Sequence, residues 1–210
     1  MSDYLLQLFD DNNTVLKIQK RLPYLFQLAE LESSRAGKIG MEVGSLREKI
    51  IVALLIYLFG EKNVETELAI TEPELDVKLY GNPISIKTIT DSKIRGIKLI
   101  WTVDALKSKE FLNSYQPKCD ILLVQINWNN YGGFYYIPLS VQKSVFDKIG
   151  REKYIKLPKA GTNPRGIELT GEALDNLFKD QNSKSISIFW YRTEIFYNPY
   201  KRWIDLWMED

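Results

Sequence analysis

The chain opens with apolar positions at helical spacing. Residues 3–10 and 14–34 read as helices, with a break or kink at Pro23, because proline removes one i→i−4 hydrogen bond. Residues 33–44 are small, polar and glycine-rich, and read as a loop. A helix follows over 45–59, with Leu46, Ile50, Ile51, Leu54, Leu55 and Leu58 along one stripe. The period then changes to two. Leu75, Val77 and Leu79, and again Ile84 and Ile86, alternate with polar residues, which predicts a half-buried hairpin over 74–90. Gly81-Asn82 suits a two-residue turn with glycine first, and Pro83 opens the second strand. That register sets Tyr80 opposite Pro83, Lys78 opposite Ser85 and Asp76 opposite Lys87.

Past the hairpin, strands and helices alternate. A strand is expected at 97–103, and Asp104 suits the N-cap of a helix over 105–115. Residues 120–128 are almost continuously apolar, the mark of a strand buried on both faces. Strands at 134–139, 154–157 and 185–192 and helices at 140–149, 171–180 and 198–208 complete the reading. The order implies an α/β fold with a mixed central sheet flanked by helices. The 210 residues suffice for one substantial domain.

Composition narrows the chemistry. The chain contains no histidine, which removes Ser-His-Asp triads and imidazole zinc sites. The one cysteine, Cys119, leads into the apolar run Ile121-Leu-Leu-Val124 and has no histidine to activate it, so a buried structural thiol is expected. No signal peptide or apolar span of ~20 residues is evident, so a cytoplasmic protein with no membrane partner is expected. No phosphate-binding glycine loop is present, so no nucleotide cofactor is expected. Carboxylates acting with a hard cation become the default polar chemistry. Net charge is +1, yet residues 78–109 carry seven basic side chains against two acidic, and residues 143–166 again seven against two. Such excesses serve as solvated faces or as a groove that tracks phosphates.

Three carboxylates and a lysine stand out. Opposed Cβ atoms in a hairpin lie ~5 Å apart, so Asp76 and Lys87 can hold a divalent cation and an anion together, the requirement of metal-dependent phosphodiester hydrolysis. The plain alternative is a cross-strand salt bridge on a wet face. Ser45-Leu-Arg-Glu48 has the form of a capping box, in which Glu48 closes the helix start; a helix start facing the hairpin would also bring Glu48 to the site. Glu74, on the same strand face as Asp76, is the rival of Glu48. In the loop at 156–166, Lys159, Thr162, Asn163 and Arg165 are of the types that read base edges, or an ordinary Gly/Pro turn. Met41, between Gly40 and Gly44, is a core plug, a surface residue or an apolar wedge between base steps.

Gly40-Met41-Glu-Val-Gly44, Glu48, Asp76 in Glu-Leu-Asp-Val-Lys, Ser85-Ile-Lys87, Trp101-Thr-Val-Asp104 and the loop from Asn163 to Leu169 together resemble the PD-(D/E)xK restriction endonucleases, and within them the ThaI type. The departures are a missing Pro-Asp dipeptide before the hairpin and Ser85 where an acid usually precedes the lysine by two. The resemblance implies one endonuclease domain over 1–210: a helical N-terminal segment (1–60), a catalytic sheet (70–140), and a DNA-recognition and C-terminal segment (141–210). It implies a homodimer that cuts double-stranded DNA at the palindrome CGCG, centrally and to blunt ends with 5′-phosphates. Asp76 and Glu48 would hold Mg²⁺, with Mn²⁺ as a substitute and the Ile86 carbonyl as a further ligand. Lys87 would act on the attacking water. Ser85, Lys93, Arg95 and the loop residues would contact DNA, and Met41 would intercalate from the minor groove. Two other readings stay open: a repair or junction-cleaving nuclease of the same superfamily, and an inert DNA-binding module.

Overall fold

The computed structural model describes residues 3–35, 38–40, 42–68, 74–100, 104–157 and 166–209. Two helices lead, α1 (Asp3–Asp10) and α2 (Asn12–Glu32). Asp11 caps α2 by accepting from the Thr14 amide at 2.8 Å, and Pro23 lies inside a helix that stays continuous. A small ribbon, β1 (Ser34–Arg35) with β2 (Lys38–Ile39), precedes α3 (Val43–Phe59) and the short β3 (Val64–Glu65). The hairpin is β4 (Val77–Leu79) with β5 (Asn82–Thr90), followed by β6 (Gly96–Ile100) and α4 (Ala105–Ser114). The second half holds β7 (Asp120–Ile126), β8 (Asn130–Ile137), α5 (Leu139–Ile149), α6 (Arg151–Tyr154), β9 (Ile155–Lys156), β10 (Ile167–Thr170), α7 (Gly171–Lys179), β11 (Lys184–Trp190) and α8 (Lys201–Trp207).

Six strands form a mixed sheet in the order β11-β8-β7-β5-β4-β3. Its parallel pair is β5 with β7, and the expected double burial of β7 is seen in Ile121 through Ile126. Period-2 alternation splits the core. One face places Val77, Leu79, Ile84, Ile86, Leu122 and Val124 against α1, α2 and α3. The other places Ile121, Leu123 and Ile137 against α5, α7 and a second, three-stranded sheet β6-β10-β9. The expected mixed sheet flanked by helices is therefore present.

Two local expectations are corrected. The hairpin turn is Tyr80-Gly81, not Gly81-Asn82: Leu79 pairs with Asn82, Lys78 with Pro83 and Val77 with Ile84. Both turn residues have positive φ, 50° at Tyr80 and 78° at Gly81, the conformation a type I′ hairpin needs. The bulky Tyr80 is held there by its ring, 4.2 Å from Tyr4 and 6.2 Å from Phe59. Asp76, one residue before this ladder, donates its amide to the Ile84 carbonyl at 3.0 Å and accepts from the Ser85 hydroxyl, so it does not pair with Lys87. The slip is two residues, and an even slip keeps every side chain on its face. Second, α3 begins at Val43 with Glu42 as its N-cap and no side-chain cap bond. Ser45 lies inside the helix, so the capping box does not form and Glu48 is released from that duty. Asp104 does cap α4, accepting from the Leu106 and Lys107 amides.

Candidate active site

Asp76 stands where the chain enters β4, just beyond the stretch of that strand that β3 covers. Its Oδ2 accepts from the Ile86 amide at 2.6 Å and from the Ser85 hydroxyl at 3.2 Å, and Lys87 Nζ lies 3.4 Å away. A strand residue aims its N–H and C=O to one edge, so the Ile86 carbonyl faces the same side as Asp76. Apolar neighbours fix this arrangement: Val77, Ile84 and Ile86 are fully buried beneath it. Asp76 and Lys87 are nonetheless partly open, with side chains 23% and 16% exposed, so the pair can still meet a ligand.

Glu48 comes from the second turn of α3. Burial pushes its carboxyl up to about 7, the charge of Asp76 adds to the rise, and Lys87 opposes it. Two carboxylates close enough to repel, with a backbone carbonyl on the same edge, make an all-oxygen set. Such a set suits a hard divalent cation, which would relieve that repulsion. Among the described residues no three acidic, cysteine or histidine side chains converge, so the donor set is two carboxylates and the carbonyl. Glu48 and Lys87 line a cleft of about 610 Å³. Thr88 to Thr90 continue the floor, and Gly96 to Ile100 with Glu168 form the facing wall.

The turn that carries Glu48 is anchored by its neighbour. Arg47 donates to Thr90 Oγ1 at 2.9 Å and to Glu30 Oε1 at 2.5 Å. Glu30 is 3% exposed and also accepts from Trp128 Nε1 at 2.9 Å and Arg192 at 2.7 Å. One buried carboxylate therefore ties α2, α3, the β7–β8 connection and the chain after β11 together. Sequence reading missed this network, and it missed Glu168 and Lys98 on the cleft wall. The visible signal was the alternation of Glu168 and Lys98 with buried Ile167, Leu169, Ile97 and Leu99.

The remaining expected site residues fall into three groups. Ser85 is 2% exposed with its hydroxyl on Asp76, placed to orient that carboxylate. Lys93 and Arg95 are exposed beside a different cavity, with Gln125, Tyr135 and Asp175, and do not meet Glu48 and Lys87 in the cleft. Met41, Lys159, Thr162, Asn163 and Arg165 lie outside the described residues. Glu74 is buried, its Oε1 has no hydrogen-bond partner, and it does not line the cleft. Burial pushes its carboxyl up to about 7, against the opposing charges of Lys118 and Lys87. Cys119 is buried, and its thiol is pushed up to about 12 by burial first, which removes it as a nucleophile.

The geometry can be set beside known proteins. The family model described as restriction endonuclease ThaI matches residues 8–209. The chain belongs to the ThaI restriction endonuclease family. It is thus a site-specific endonuclease of the type II restriction class. A solved structure described as a restriction endonuclease in complex with substrate DNA is 62% identical. That match covers 99% of this chain and 100% of the other, with a TM-score of 0.91. No curated protein matches.

The two raised carboxyls of the endonuclease make a pH prediction. Both Glu48 and Glu74 sit above the ordinary 4.5. Between about 4.5 and 7 the unfolded chain releases protons that the folded chain retains, so stability held at low pH is lost as pH rises through 7. Glu74→Gln should flatten this decline. Melting temperatures at about pH 5 and about pH 8 check it; an unchanged gap between them in the variant would refute it.

Proposed function

We propose that the chain is a homodimeric endonuclease that uses Mg²⁺ to hydrolyse both strands of DNA at CGCG. The cut is central, leaving blunt ends with 5′-phosphates. The observation that carries the chemistry is that Glu48 and Lys87 line one cleft, while Asp76 lies 3.4 Å from Lys87 Nζ and its charge acts on Glu48. Asp76 and Glu48 would hold the cation, with Mn²⁺ as a substitute. The cation supplies Lewis acidity, making water a competent nucleophile near neutral pH and offsetting phosphate charge. Ser85 and the Ile86 amide hold Asp76 Oδ2 in place. Lys87, 3.4 Å from that oxygen, positions the attacking water, takes up its proton or offsets charge on the phosphorane. Arg47 holds Glu48 against β5 through Thr90.

The target CGCG and the central cut rest on the family resemblance, as does the wedge role of Met41 between base steps. Lys159, Thr162, Asn163 and Arg165 would read base edges, supported by their residue types and by their place in the sequence between β9 and β10. Lys93 and Arg95, outside the cleft, suit phosphate contacts. That the similar solved structure holds substrate DNA supports double-stranded DNA as the partner. No described helix is long and apolar enough to cross a membrane, and the cytoplasm, where DNA is met, is the proposed location.

One digestion tests this. A sequenced plasmid incubated with Mg²⁺ should yield discrete fragments, with blunt ends mapping within CGCG. Cleavage confined to branched or damaged DNA would favour a structure-selective nuclease. Binding without cleavage in Mg²⁺ or Mn²⁺ would leave an inert module. The ligand assignment has its own check. Glu48→Gln should abolish cleavage while Glu74→Gln retains it; the reverse pattern would move the ligand role to Glu74.

A further inference from the structure

The last helix leaves an apolar stripe uncovered. After β11 the chain runs along α2, with Thr193 exchanging two bonds with the Gln27 side chain, at 2.6 and 2.9 Å. Beyond Thr193 the hydrogen bonds seen among the described residues stay within the arm itself. Tyr200, Trp203, Ile204, Trp207 and Met208 follow at intervals of three and four, and all are exposed, Trp207 to 88%. That spacing puts them on one helical face. With Phe196, exposed to 96%, they offer on the order of 1,000 Å² of side-chain surface, comparable with the ~800 Å² per partner of a stable interface. A patch of this kind on a soluble chain marks an interaction surface.

The charges of α8 say what covers it. Lys201 and Arg202 stand in its first turn, and Glu209 follows its last. A helix dipole favours the opposite order, so this distribution does not serve the isolated helix. Lys201 is partly offset by Asp205 at 2.9 Å, whereas Arg202 has no acidic neighbour within salt-bridge distance among the described residues. A second copy of α8 laid antiparallel brings Arg202 of each protomer against Glu209 of the other and stacks the two aromatic stripes. A two-fold axis generates this contact twice, since residue i meets j and j meets i.

We propose that α8 is the homodimer interface of this endonuclease, pairing antiparallel with α8 of a second copy across the two-fold axis. The inference rests on the homodimer reading above and names its surface. Sedimentation velocity of the full-length protein at micromolar concentration, with and without substrate duplex, tests it. Wild type should be a dimer, and Trp203→Glu/Trp207→Glu a folded monomer with an unchanged far-ultraviolet spectrum. Arg202→Glu and Glu209→Arg should each weaken the dimer about tenfold, as like charges replace two opposite pairs, and combining them should restore most of the loss. A dimeric tryptophan variant would overturn the α8 surface while leaving the homodimer intact. A wild type that is monomeric even on DNA would overturn both. Single charge reversals without effect, or without mutual rescue, would overturn the antiparallel pairing.

Discussion

Asp76→Asn should lower cleavage at least ~100-fold, because metal-assisted hydrolysis depends on the charge of the ligand that holds the cation. The amide keeps the shape of the carboxylate and can still accept from the Ile86 amide, which lies 2.6 Å from Oδ2 in the wild type. The strand end should therefore stay in place. One negative charge fewer near a phosphate also means that binding to the cognate duplex should survive or tighten. Single-turnover cleavage in Mg²⁺, with a binding titration in Ca²⁺, separates the two effects. Near-normal turnover by the purified variant would remove Asp76 from the site, and equal losses of binding and cleavage would make it a structural residue.

Glu30→Ala should be strongly destabilising. Glu30 and Arg47 are 3% and 5% exposed, and burial already lowers the pKa of the Arg47 guanidinium, against the opposing attraction of Glu30. Removing the carboxylate leaves that cation buried without its counter-charge, a defect that typically costs ~3–5 kcal/mol. It also strips Trp128 and Arg192 of their acceptor. For a chain of this length the melting temperature should fall by roughly 10 °C. Because Arg47 precedes Glu48, residual activity well below the folding midpoint should fall too. A melting shift under ~2 °C, equivalent to less than about 1 kcal/mol, would show that water reaches the network and that the burial argument fails.

Much of this fold is written in its periodicities. The helix-then-hairpin order, the double burial of β7 and the Asp104 cap follow from spacing and residue type alone. The turn of the hairpin was not legible, because Gly81-Asn82 is the better local match and Tyr80 is a poor candidate for φ near 50°. What holds Tyr80 there is ring contact with Tyr4 and Phe59, far away in sequence. The proximity of Asp76 and Lys87 outlived the error because a two-residue slip preserves the face. Glu48 was legible as a candidate from its place early in the helix, though its raised carboxyl depends on burial first and on Asp76 second. Glu30 was invisible, since one glutamate near a helix C-terminus looks like any solvated charge until Arg47, Trp128 and Arg192 are brought around it.

The division of the core by the sheet has a consequence for the cell that makes this enzyme. Glu48 is delivered by a helix packed on one face, whereas the opposing cleft wall is delivered by the three-stranded sheet packed on the other. An unfolding excursion that loosens either half would dismantle the proposed centre before the chain is fully lost. Under the proposed assignment, nascent or damaged copies would carry no usable blade, and the DNase would become dangerous only once both halves had closed on the strand that holds Lys87.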